Sequence, residues 1–143
     1  MERIGEGMAL GQRGERAAAR ELFGQLWTEI GDDGDAFHRC ALAHSMADVQ
    51  DDVAEELLWD ERALAAADSL TDERVAEGGV AAGVAAFYPS LHLNIAECHR
   101  KLGDLPAARR HLEQGRAAVD ALPHDGYGNM IRGGLQRLAE QLT

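Results

Sequence analysis

One stretch of this chain decides its fold, PSLHLNIAECHRKLGDLPAARRHL, which runs from Pro89 to Leu112. Proline favours the first turn of a helix, so a helix is expected to begin near Pro89. Apolar residues then recur at helical spacing along one face: Leu91, Ile95, Cys98 and Leu102. Gly103 is a typical helix stop and Asp104 a typical cap for the next helix, whose pattern continues past Leu112. The stretch predicts two helices joined by a tight turn.

The same pattern occurs twice more toward the N-terminus. The copies start at Gly14, Gln50 and Gly103, and their patterns are Gly14-Glu15-x3-Ala19-x3-Phe23, Gln50-Asp51-x3-Glu55-x3-Trp59 and Gly103-Asp104-x3-Ala108-x3-Leu112. The first interval is 36 residues and the second is 53, which is one repeat plus an insertion of roughly 19 residues. The excess matches the glycine-rich segment 69–88. The chain therefore consists of repeated helix pairs with one insertion.

Repeated helix pairs of this length resemble the tetratricopeptide repeat family. The third copy fits its pattern best, with His92-x2-Ile95-Ala96-x2-His99 before the turn, and the second copy reads Arg39-x2-Leu42-Ala43-x2-Met46. The resemblance implies an all-α superhelix of about three helix pairs plus a C-terminal capping helix, in a single domain over residues 1–143. Its expected parts are repeats at about 1–34, 36–68 and 88–122, an insertion at 69–88 and a capping helix at 126–142.

Caps and faces of the remaining helices follow from the same reasoning. Asp35 and Asp125 stand where helices are expected to begin. The last helix is expected to turn its apolar residues inward: Tyr127, Met130, Ile131, Leu135, Leu138 and Leu142.

Charge excludes several classes of partner. The chain carries 25 Asp and Glu against 14 Lys and Arg, a net charge of −11, so it repels nucleic acid and offers no basic patch to a membrane surface. The longest apolar run, Val80 to Tyr88, is far shorter than the ~20 residues of a membrane span. The N-terminus has no apolar signal core, and Cys40 and Cys98 are far apart. We expect a cytoplasmic protein with two free thiols.

Motifs of catalysis are missing from the sequence. It contains no GxSxG, no Walker loop and no GxGxxG after a strand. We therefore expect no enzyme and no cofactor. An acidic cluster at Asp48, Asp51, Asp52 and Glu55 suits either a cation or basic peptide, or the start of a helix, where carboxylates are favoured by the helix dipole.

In tetratricopeptide proteins the first helix of each pair lines a concave groove that takes an extended peptide or a partner helix. The resemblance implies a lining from two copies: Phe37, Cys40, Ala41, His44, Asp48, Leu93, Asn94, Glu97, Arg100 and Lys101. We expect a non-enzymatic protein-protein interaction module whose protein or peptide partner the sequence does not identify. Ordinary solvated helix surface is the alternative for these positions.

Two histidines leave a second hypothesis open. His92 and His99 are seven residues apart and share a helix face, but the sequence has no HxxxH or CxxC pair, so packed histidines are expected and no metal ligand is assigned. The alternative function is a small-ligand or metal-binding sensor, in which the 69–88 insertion closes over a pocket near His92 and His99.

Self-association is a further expectation. Phe87, Tyr88 and the apolar run Val80–Ala86 lie in an insertion that the repeat core does not need. A run of this kind left exposed forms an unusually large apolar patch for a monomer. We therefore predict a homodimer with the insertion in or near the contact.

Overall fold

The computed structural model describes residues 2–31, 33–79 and 83–142 of the chain. All regular elements in these ranges are helices and none is a strand, which confirms the all-α prediction. No helix among the described residues has both the length and the apolar character needed to cross a membrane. The chain divides into two compact units, an N-terminal unit (Met1–Ser69) and a C-terminal unit (Leu70–Thr143). The division falls where the insertion was predicted to start.

The described part of the N-terminal unit contains two helix pairs: α1 (Glu2–Gln12), α2 (Arg16–Ile30), α3 (Ala36–Asp48) and α4 (Val53–Ala67). Helix α2 packs on both α1 and α3, and α3 packs on α4. The first pair depends on a close approach at Gly7, because the Phe23 ring fills the space that a Cβ atom there would need. Phe23 is completely buried and belongs to the core of this unit.

The described part of the C-terminal unit contains four α-helices: α5 (Asp72–Glu77), α6 (Tyr88–Lys101), α7 (Leu105–Ala117) and α8 (Gly126–Gln141). Helices α6 and α7 form the third pair, and α8 packs on both of them. Their contact forms an aliphatic core: Ala96, Ala108, Leu112, Leu122, Ile131, Leu135, Leu138 and Leu142. The positions of α6 and α8 agree with the helices predicted from residue 88 and at 126–142, whereas α7 ends at Ala117 and a separate 3₁₀ turn, Val119–Ala121, follows it before residue 122.

Aspartate caps fix where the helices begin. The carboxylate of Asp35 accepts a hydrogen bond from the backbone N–H of His38 at 3.0 Å, and Asp125 accepts one from Gly128 at 2.8 Å. Asp104 caps α7 in the same way after Gly103, whose φ of +85° is the left-handed conformation that glycine favours. All three predicted caps are confirmed.

One expectation about α8 is wrong. Tyr127 and Met130 are 48% and 58% exposed rather than turned inward. Met130 is one residue before the buried Ile131, which places it about 100° around the helix from the buried face. Tyr127 lies in the first turn, where Gly128 instead approaches the backbone of Pro123 so closely that no side chain fits there.

Most of the described apolar residues of the insertion are buried or half-buried rather than exposed at the surface. Asp72 at the start of α5 accepts a hydrogen bond from the backbone N–H of Val84 at 3.0 Å, and this bond joins the start of α5 to the residues that precede α6. In the 3₁₀ turn Val84–Phe87, Ala86 is buried, and Phe87 and Tyr88 are half-buried. The remaining part of the predicted apolar run, residues 80–82, lies outside the described residues. The homodimer stays a prediction, which light scattering of the purified chain tests.

Candidate functional site

Three of the predicted groove residues line one cleft in the C-terminal unit. Leu93, Asn94 and Glu97 of α6 form one wall. Helix α8 supplies the other wall, from Gly134, Arg137, Leu138 and Gln141. The volume of this α6–α8 cleft is about 310 Å³. Its walls come close because residue 134 is glycine: a Cβ atom there would lie only 2.7 Å from Cδ2 of Leu93.

The polar groups of the α6–α8 cleft are of two kinds. Glu97 is already paired, since Arg100 donates to its two carboxylate oxygens at 2.5 and 3.0 Å. The hydrogen bonding to Glu97, and after it the negative charge of Glu97, raise the pKa of Arg100. Asn94 and Arg137, in contrast, make no hydrogen bond or ion pair with any described residue. An amide and a guanidinium are therefore available to a ligand in this cleft.

The other predicted groove residues are divided between surface and interior. Phe37 and Cys40 are buried, and burial raises the pKa of the Cys40 thiol to about 11, so this thiol stays protonated and unreactive. Ala41 is half-buried, while Asp48 and Lys101 are exposed. Phe37 and Cys40 thus offer a partner very little surface.

His44 and Asp48 lie on a second cleft, within the N-terminal unit, between α1, α2 and α3. Its volume is about 320 Å³. The Nδ1 atom of His44 is buried and has no hydrogen-bond partner in the described part of the chain. The guanidinium of Arg16, on the same cleft, is already bound to the carboxylate of Asp51 and the carbonyl of Gln50, at 2.9 and 2.8 Å.

Two residues of the predicted acidic cluster, Asp51 and Asp52, make contacts that stabilise the fold. Asp51 receives Arg16 and Arg20 of α2, and the hydrogen bond from Arg16 is the main reason why the pKa of Asp51 is lowered. Asp52 caps α4 by accepting from the backbone N–H of Glu55 at 3.1 Å. The helix-start interpretation therefore holds for Asp52, while Asp51 forms ion pairs with arginines of α2 and Asp48 lies at the end of α3.

The structure brings a third histidine to the two that the sequence singled out. His111 of α7 lies between His92 and His99 of α6, and its ring centroid is 5.3 Å from that of His92 and 5.6 Å from that of His99. The Nδ1 atoms of His92 and His111 are 3.0 Å apart. On the outer sides, Tyr88 stacks on His92 at 6.1 Å, and Nδ1 of His99 is 4.0 Å from a carboxylate oxygen of Asp104. These three imidazoles are the histidine cluster.

Sequence reasoning missed His111, although a signal was present. Helices α6 and α7 run back along each other from the turn at Gly103, so a residue on α7 faces the residue equally far before that turn. Position 111 then faces position 95, midway between His92 and His99. Counting outward from the turn therefore identifies all three histidines.

The surroundings of His111 favour its neutral form. Burial, and after it the charges of His92, His99 and Arg110, together lower the pKa of His111 from 6.5 to about 4. A neutral imidazole has one nitrogen that donates and one that accepts or binds a metal. In the neutral pair, one Nδ1 donates to the other.

Comparison with known proteins identifies no relative of this chain: no protein-family model, no curated protein and no solved structure matches it.

Proposed function

We propose that this protein is a non-enzymatic binding module of the tetratricopeptide-repeat type, which takes a peptide segment of a partner protein into the α6–α8 cleft. The observation that carries the proposal is the pair of available polar groups, Asn94 and Arg137, on opposite walls of this cleft. Three positions named from the repeat pattern, Leu93, Asn94 and Glu97, also line it.

The chemistry of the cleft selects a kind of peptide. The Asn94 amide both donates and accepts, so it suits the backbone of an extended peptide. The Arg137 guanidinium is a planar donor that suits a carboxylate. The half-buried Leu93 supplies an apolar surface on the α6 wall of the cleft. We therefore propose a ligand with an apolar side chain next to an acidic side chain or a C-terminal carboxylate.

Size supports a peptide segment rather than a large cofactor. Ligand pockets commonly measure roughly 300–1,000 Å³, and the α6–α8 cleft, at about 310 Å³, is at the lower limit. Such a volume accommodates one or two side chains. A reaction has little support here, because the cleft lining includes no Ser, Cys or His as a nucleophile or base.

Selection from a library of random peptides with free C-termini tests the proposal. We expect the wild-type chain to enrich peptides that combine an apolar residue with a carboxylate. Arg137→Gln should weaken binding of the enriched peptides by about tenfold, the loss of one charge-assisted hydrogen bond of roughly 1.4 kcal/mol. Arg116→Gln is the matched control, since Arg116 is an exposed arginine of α7 that pairs with Glu113.

Two results contradict the proposal. One is a selection that yields no common motif with the folded wild-type chain. The other is an enriched peptide that Arg137→Gln and Asn94→Ala both bind with wild-type affinity, which would place the binding surface elsewhere.

A further inference from the structure

We propose that the Nδ1 atoms of His92 and His111 form a two-imidazole site for a divalent first-row transition metal ion of the Cu²⁺ or Ni²⁺ kind. Imidazole is a preferred ligand of these ions. The site is separate from the α6–α8 cleft, because neither histidine lines that cleft.

The distance between the two nitrogens selects the geometry. With metal–nitrogen bonds of about 2.0–2.1 Å, nitrogens 3.0 Å apart subtend an angle of about 94° at the metal. That angle is close to the right angle between neighbouring ligands in square-planar and octahedral complexes, which Cu²⁺ and Ni²⁺ adopt. Tetrahedral Zn²⁺ would need the nitrogens about 3.3 Å apart. The 3.0 Å separation therefore suits the right-angle geometry of Cu²⁺ or Ni²⁺, and binding requires both imidazoles to carry their proton on Nε2, so that each Nδ1 presents a lone pair to the ion.

His99 is a neighbour of this site and not a ligand. Its ring is stacked on that of His111, with 17° between the two planes. Lone pairs of an imidazole lie in the ring plane, so nearly parallel stacked rings do not point their nitrogens at a common ion. The remaining coordination positions are left to water or to a group of a bound molecule.

The two proposed ligands are held by the packing of α6 against α7. Gly115 on α7 permits that contact, since a Cβ atom there would lie 3.4 Å from Cβ of His92 and 3.0 Å from Cδ2 of Leu135. His92 is 8% exposed and His111 is more accessible, which provides a route for the ion from the His111 side. Ligands carried by two packed helices are positioned more precisely than ligands on loops.

Titration of the metal-free chain, without a histidine tag, with CuCl₂ tests the site. We expect one equivalent of Cu²⁺ to bind, with an electron paramagnetic resonance spectrum that shows two nitrogen donors. His111→Gln and His92→Gln should each weaken binding by at least about tenfold, as expected when one of two ligands is lost. His99→Gln should change the affinity by less than about threefold, because the stacked ring supplies no ligand.

Matched controls are His124→Gln and His38→Gln, which remove histidines outside the cluster and should leave the affinity unchanged. If either ligand variant fails to fold, diethyl pyrocarbonate labelling of the wild-type chain replaces it: bound Cu²⁺ should protect His111 and leave His124 reactive. Wild-type affinity in His111→Gln, or equal protection of all accessible histidines, overturns the proposal and leaves His92 and His111 as a hydrogen-bonded pair only.

Discussion

Both units place aromatic rings where helices meet, but the rings differ in chemistry. In the N-terminal unit, Trp27 of α2 and Trp59 of α4 meet edge to face at 5.1 Å. Arg39 lies 4.4 Å above the Trp27 ring and Arg62 lies 4.3 Å above the Trp59 ring. In the C-terminal unit, the rings that meet between α6 and α7 are those of the histidine cluster.

The difference shows that a contact between helices can be filled either by groups that keep one charge state near neutral pH or by groups that titrate there. Indole does not titrate and guanidinium keeps its charge throughout the physiological range, so the contacts around Trp27 and Trp59 do not depend on pH. Imidazole changes its charge near neutral pH and binds metals. Of these two groups of rings, only the histidine cluster is therefore expected to respond to acid or to metal ions.

Removal of an indole should have the largest effect. We expect Trp59→Ala to lower the free energy of unfolding by about 3 kcal/mol, because it deletes a large half-buried ring and its contacts with Trp27 and Arg62. The loss should be the same at pH 7.5 and at pH 5.5. Urea unfolding followed by circular dichroism measures it.

Leu58 provides the neighbouring control, since it is 41% exposed and Leu58→Ala should cost no more than about 0.5 kcal/mol. A loss from Trp59→Ala that grows as the pH falls would contradict the pH independence of the contacts around Trp27 and Trp59.

Acid should have the next largest effect, through His111 in the metal-free chain. Its pKa is 6.5 when unfolded and about 4 when folded. Between these values the unfolded chain binds a proton that the folded chain does not, so the free energy of unfolding falls as the pH is lowered from 6.5 to 4. We expect a loss of roughly 2 kcal/mol, less than the full shift implies, because His111 remains partly exposed to solvent.

His111→Gln should remove most of this pH dependence, and His124→Gln should retain it. Amide signals of α6 and α7, measured by NMR between pH 7 and pH 4, locate the effect. Equal acid sensitivity in the wild-type chain and in His111→Gln would show that another group is responsible.

Helix caps should behave alike in the two units. Asp52 caps α4 and Asp104 caps α7 with nearly the same geometry, at 3.1 and 3.2 Å. We expect Asp52→Ala and Asp104→Ala each to cost about 1 kcal/mol in urea unfolding at pH 7. Asp104→Asn keeps the cap and should restore most of the stability. A much larger loss for Asp104→Asn would mean that the charge of Asp104 beside His99 matters more than its cap.

Arg62 should have the smallest effect. We expect Arg62→Gln to cost about 0.5–1 kcal/mol, the value of a cation–π contact at a half-exposed site, and Arg62→Lys to cost less because it keeps a cation near the ring. Unfolding followed by tryptophan fluorescence is selective here, since both tryptophans of the chain are in the N-terminal unit. Equal losses in the two variants would show that the charge is not what stabilises the ring.

The sequence by itself determined that the chain folds into helices and where three of these helices begin. The patterns around Gly14, Gln50 and Gly103 gave three helix pairs, and Asp35, Asp104 and Asp125 cap helices where they were predicted to do so. These features could be predicted because each of them depends on residues within one or two helical turns, where apolar spacing and capping chemistry act locally.

Only the tertiary structure decided which side chains meet. The sequence placed His92 and His99 on one face, but His111 reaches them because α7 folds back along α6 and the absence of a side chain at Gly115 lets the helices come close. The tertiary structure also buries Phe37 and Cys40 and exposes Tyr127. It places Arg137 in the same cleft as the predicted Asn94. Contacts of this kind depend on how helices distant in sequence pack together, and a local pattern of residues does not contain that information.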